Sequence, residues 1–148
     1  MLAAARPSFP LVSPMQAALG AFFGGIIGFG FFCRANFIAV GDRAGASRML
    51  TLSIALFVAW HAAVALALFN AASVPLTMLF GVTPFVLLGA AHGVAQKQMA
   101  SANDHAVVRS GWSVFAITAL CFVASAACAL AVIVGVVVAL LATSGFRG

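Results

Sequence analysis

The stretch Gly20-Ala21-Phe22-Phe23-Gly24-Gly25-Ile26-Ile27-Gly28 places glycines four residues apart, at 20, 24 and 28, inside a long apolar run. A spacing of four is slightly more than one helical turn, so on a helix these three glycines form one shallow groove. In lipid such a groove lets a second helix backbone approach closely, which is how membrane helices gain packing energy. Each glycine costs a helix about 1 kcal/mol relative to alanine, so three in register imply a compensating contact. The plainer reading is that glycine is frequent in membrane helices generally. The stretch predicts a membrane helix packed against a partner, with Gln16 one turn earlier extending the seam through its amide.

The rest of the chain agrees with a membrane setting. Of 148 residues, 65% are apolar and only 6% charged, against about a quarter charged in a soluble domain. Mean hydropathy is +1.21. The net charge of +5 sets seven basic residues against Asp42 and Asp104. These basic residues flank apolar runs, which suits topology and anionic headgroups rather than nucleic acid.

Four apolar stretches are long enough to cross a bilayer core, for which about 20 residues suffice. They cover residues 15–33, 49–69, 76–95 and 112–143. The first helix is expected to continue past the membrane toward Val40, and the fourth to tilt or project beyond the bilayer. Asp42 is a candidate cap after Gly41, residues 70–75 form a tight link, and residues 96–110 form one long polar loop. The sequence therefore predicts an all-α fold: one polytopic domain of four transmembrane helices in an antiparallel bundle. Residues 1–14 hold Arg6, Pro7, Pro10 and Pro14 without an apolar core, which does not read as a cleaved signal peptide.

Arg34, Arg43 and Arg48 surround the first loop, Lys97 and Arg109 the third, whereas Arg6 and Arg147 flank the other side. Five against two predicts loops one and three in the cytoplasm and both termini outside.

Polar groups inside spans are the usual pointers to function. Here they are Gln16, His61, Thr83, His92, Ser113, Thr118 and Ser125. His61, in mid-span beside Trp60, suits proton transfer or metal ligation, or more simply a neutral packing histidine. Pro84 removes the hydrogen bond to the Phe80 carbonyl and predicts a kink. His61 and His92 form a possible intramembrane polar site with Pro84, but they do not suit the two faces of one haem. His61 lies roughly 18 Å from the cytoplasmic end of its span and His92 roughly 5 Å from that of its own. Cys33, Cys121 and Cys128 read as packing residues, the last two being about 10 Å apart along one helix. No Ser-His-acid set, paired carboxylate, phosphate loop or metal-ligand spacing is present, so neither an enzyme, a cofactor nor a bound metal is expected.

Ser13-Pro14-Met15-Gln16, the glycine-rich stretch and Arg34-Ala35-Asn36-Phe37 with Gly41 together resemble the opening of a family of short bacterial four-helix inner-membrane proteins. That family begins with Ser-Pro-x-Gln, a glycine-rich first span and an Asn-aromatic exit, and it often has proline after the paired glycines, where this chain has Ile26. The resemblance covers about the first quarter of the chain and implies a multi-pass protein of the bacterial cytoplasmic membrane. It transfers no activity. In this reading Ser13 and Pro14 open the first helix, while Arg34 and Asn36 meet headgroups or the following loop.

The expected function is association through the Gly20/Gly24/Gly28 groove, as a homo-oligomer or as an accessory subunit of a membrane complex. The rival is a channel or transporter for a small solute, with His61 and Pro84 near its path.

Overall fold

A computed structural model describes residues 10–69, 76–102 and 107–144. The expected 70–75 link, Asp104, His105, Arg6 and Arg147 lie outside these residues. Four helices follow one another: α1 (Pro14–Ala39), α2 (Arg43–Phe69), α3 (Leu76–Ser101) and α4 (Gly111–Ser144). Of these, α1, α2 and α4 are long and apolar enough to cross a membrane, judged among the described residues.

Local chemistry explains where the helices begin. Ser13 and Gln16 form a reciprocal capping box at α1, with Pro14 in the first turn. Gly41 turns the chain at φ 83°, and Asp42 Oδ1 accepts from the Gly45 N–H at 2.7 Å, so α2 starts six residues before its expected apolar segment. Helix α3 runs six residues beyond Ala95 into the expected polar loop. Gln98, only 5% exposed, holds that last stretch by donating to the Cys33 carbonyl.

The larger departure is inside α1, which does not run straight. At Gly25 the backbone takes φ 61°, ψ −151°, and the chain reverses there. Asn36 Oδ1 accepts from Val12 N–H at 2.7 Å and its Nδ2 donates to Val12 O at 2.9 Å. A straight helix would separate these residues by about 36 Å. A Cβ placed on Gly28 would strike the Gly20 carbonyl oxygen, and one on Gly20 would strike the Phe32 ring. These contacts pair residue 12 with 36, 20 with 28 and 20 with 32, which makes α1 an antiparallel hairpin of residues 14–24 and 26–39.

The expectation of one straight first helix is therefore corrected to a hairpin. The halves are about 16 and 21 Å long, each shorter than a bilayer core of about 30 Å. In the expected four-span antiparallel bundle α1 would run to the opposite end, whereas here it returns to the end from which it started. The placing of the N-terminal segment opposite the first loop is corrected likewise. Leu11 bonds Val107 O and Arg109 N–H at 2.9 and 2.8 Å, and Gln16 Nε2 donates to Arg109 O at 2.9 Å. Residues 11–16, the α1–α2 turn and residues 107–109 thus share one end of the molecule, the mouth of the hairpin.

The hairpin forms the core, touching α2, α3 and α4. Ala17, Ala21, Phe32 and Cys33 are fully buried, and so are Ala91 and Ala95 of α3 opposite them. By contrast, the most apolar window of α4 holds no buried residue, and α4 packs on the core through partly buried ones such as Ala129 and Val132.

The turn at Gly25 makes a clean prediction. Its φ and ψ fall where only glycine sits without strain, yet a Cβ there would lie 3.6 Å from Ser125 Oγ, in ordinary contact. Gly25→Ala is expected to cost about 1–3 kcal/mol from backbone strain alone. Gly89→Ala, with nothing within 4 Å, is the control. Thermal unfolding in detergent measures both, and equal midpoints would show that Gly25 does not turn the chain.

Candidate functional site at the hairpin tip

Breaking a helix leaves backbone donors and acceptors at both new ends, which must find partners elsewhere. At the tip, Ser125 Oγ of α4 donates to the Gly24 carbonyl at 2.8 Å. Beside this bond is a cavity of about 140 Å³ lined by Gly25 and Ile26 of the hairpin, Trp60 and His61 of α2, Thr83 and Pro84 of α3, and Ser125. Phe22, Phe57 and Leu87 complete a mostly apolar wall.

The elements bring these residues to a common depth. Measured from the mouth end at 1.5 Å per residue, Ser125 lies about 21 Å along α4, and His61 and Thr83 each about 27 Å along their helices. The hairpin tip reaches about 16–21 Å. Irregular backbone at such depth is tolerated only when enclosed by protein or lining a cavity. Here it does both.

His61 Nδ1 lies 2.7 Å from the Phe57 carbonyl oxygen, one turn back on its own helix. A carbonyl can only accept, so Nδ1 is the donor of this pair. The ring stacks on Phe57 at a centroid distance of 4.1 Å, which fixes its orientation. The cavity thus has an imidazole, a serine hydroxyl and a turn of backbone in an otherwise apolar wall. Ligand pockets for drug-sized molecules span about 300–1,000 Å³; this one takes only a very small molecule.

Of the residues singled out in the sequence, His61, Pro84, Thr83 and Ser125 converge on this cavity. His92 does not: it lies about 12 Å along α3 from Pro84, toward the mouth. Gln16 is at the mouth, bonded to the loop carbonyl of Arg109 and not to a neighbouring helix. Gly20 and Gly28 face each other within the hairpin, and Gly24 faces α4, where its Cβ would lie 3.0 Å from Cys121 Cβ. Arg34, Arg43, Arg48 and Lys97 are exposed at the mouth end, with Arg109 half-buried.

No protein-family model, curated protein or solved structure matches the chain. The site stands on its geometry. Among the described residues no three His, Cys, Asp or Glu come together as a metal-binding group.

Asn36 and Gln98 carry structure that composition hides. Asn36 is fully buried and bridges the hairpin's mouth, which corrects its expected place at the headgroups. Gln98, read as loop, ties α3 to the second half of α1. For Asn36 the signal was a polar residue flanked by Phe32, Cys33, Ala39 and Val40 at i±3 and i±4, whereas Gln98 has Val94 and Ala95 a turn before it but Ser101 at i+3.

Proposed function

We propose that this chain is a small multi-pass membrane protein that admits a small uncharged solute at the hairpin tip, as a channel or transporter and without catalysing a reaction. The observation that carries this reading is the broken helix whose tip meets His61, Pro84 and Ser125 from three other helices. Discontinuous helices with exposed backbone at mid-depth are how transporters build solute sites within a bilayer. Association through the glycine groove loses its support, because Gly20, Gly24 and Gly28 are occupied within the chain. Association as an oligomer or accessory subunit keeps one support, the unburied α4 face.

The proposed setting is a bacterial cytoplasmic membrane. Arg34, Arg43, Arg48, Lys97 and Arg109 collect at the mouth end, which the positive-inside rule assigns to the cytoplasm. On this reading α2 and α4 cross, and α3 returns between them from the far end of α2 to the mouth. The hairpin enters and leaves from the cytoplasmic side, and the far ends of α2, α3 and α4 face outward.

The test is solute flux in proteoliposomes, followed by light scattering after an osmotic step with water, glycerol or urea. The protein should raise permeability to at least one of them above empty vesicles. His61→Ala should change that flux about two- to tenfold, the effect of one lost hydrogen bond. Absence of flux for every small neutral solute would sink the reading, as would a flux that His61→Ala and Ser125→Ala both leave unchanged.

A further inference from the structure

A second cleft, which shares Phe57 with the tip cavity, runs between the second half of α1 and α2. It has a volume of about 340 Å³ and apolar walls of Ile27, Phe31, Leu50 and Ile54, with Arg34 also in its lining. Ile27 to Arg34 on one wall and Leu50 to Phe57 on the other each span seven residues, so the cleft is about 10 Å long. It opens sideways: Phe31, Leu50 and Ile54 are all substantially exposed. Its wall hydroxyl, Ser53, is turned away to its own helix, donating to Met49 O at 2.8 Å.

We propose that this cleft holds one acyl chain of an anionic phospholipid, with the lipid phosphate on the Arg34 guanidinium. The shape argues for a chain, since the slot is about 10 Å long and its walls are apolar apart from Ser53, already bonded to its own helix, and Arg34. The charge argues for the headgroup. Asp42 is the only acid among the described residues, and it caps α2 through the Gly45 N–H. Arg34, seven residues after Ile27 and toward the mouth, lies where a guanidinium reaches the interface while its stem stays on apolar surface. A planar guanidinium binds phosphate through two parallel N–H donors, which a lysine cannot do. The inference rests on the membrane setting but not on transport.

The test is native mass spectrometry of the delipidated full chain in mild detergent, with phosphatidylglycerol or phosphatidylcholine of equal chain length added back. The expected result is one phosphatidylglycerol retained about fivefold more than phosphatidylcholine. Arg34→Gln should remove the preference, and Arg34→Lys should leave part of it. Ile54→Trp, at an exposed position, should fill the cleft and reduce retention of both lipids with helicity by circular dichroism unchanged. Equal retention of the two lipids by the unaltered chain overturns the proposal. So does a preference that survives both Arg34→Gln and Ile54→Trp, or a dimer mass that Ile54→Trp abolishes, which would mean a second copy occupies the cleft.

Discussion

Gly28→Ala is expected to be the most damaging single methyl addition in this chain. The new Cβ would lie on the Gly20 carbonyl oxygen and 3.1 Å from its carbon. Both are backbone atoms, so no rotamer change can relieve the clash and the two halves of α1 must move apart. Ordinary overpacking costs about 1–3 kcal/mol, and a backbone-against-backbone contact in the core belongs at or above the top of that range. Gly20→Ala should be milder, since its obstacle is the Phe32 ring, a side chain that can adjust although it is fully buried. Gly24→Ala should be milder again, at 3.0 Å from Cys121 Cβ. Gly89→Ala, in open space, should be neutral or stabilising by up to about 1 kcal/mol. Unfolding midpoints in detergent rank the four. If Gly28→Ala matches Gly89→Ala, the halves of α1 do not pack as described.

How far this order is readable from sequence depends on the range of the interactions involved. Helices α2 and α4 follow from long apolar runs and from nearby caps such as Asp42, which are local and therefore legible. The hairpin is not local. A straight apolar helix and a folded one have the same composition, and the spacing of Gly20, Gly24 and Gly28 reads as one face although in the hairpin Gly20 and Gly28 face each other and Gly24 faces α4. What separates the two is the adjacent pair Gly24-Gly25, where one residue must adopt a positive φ. Within the ladder Gly20 meets Gly28, eight residues on in its own helix pair, while Gly24 meets Cys121 of α4.

The site was legible in its parts and not in its assembly. His61, Thr83, Pro84 and Ser125 stand out as polar or helix-breaking residues in apolar runs. Their convergence depends on the hairpin tip stopping part-way along the other helices, which no periodicity encodes. The same missing reversal explains the misplaced N-terminal segment. Charge counting assumes that each apolar run changes sides, and α1 does not.

The reversal also makes Asn36 indispensable, and Asn36→Leu is the second large effect expected. The side chain accepts from Val12 N–H and donates to Val12 O, both in fully buried surroundings. Leucine fills comparable space but matches neither group. Each orphaned buried backbone group costs about 1–3 kcal/mol, so the pair costs about 2–6 kcal/mol. That raises the population with an open mouth by about thirtyfold or more. Cys33 reports the opening. It is a free thiol, fully buried, one turn before Asn36. Alkylation of Cys33 by N-ethylmaleimide, read from the mass of its peptide, should accelerate in Asn36→Leu by that factor. Cys128, already exposed, should label at an unchanged rate in the same sample and so exclude a general loosening. If Cys33 labels no faster in the variant, Asn36 does not hold the two ends of the hairpin together. In that case residues 11 and 12 are held at this end by Val107 and Arg109 alone.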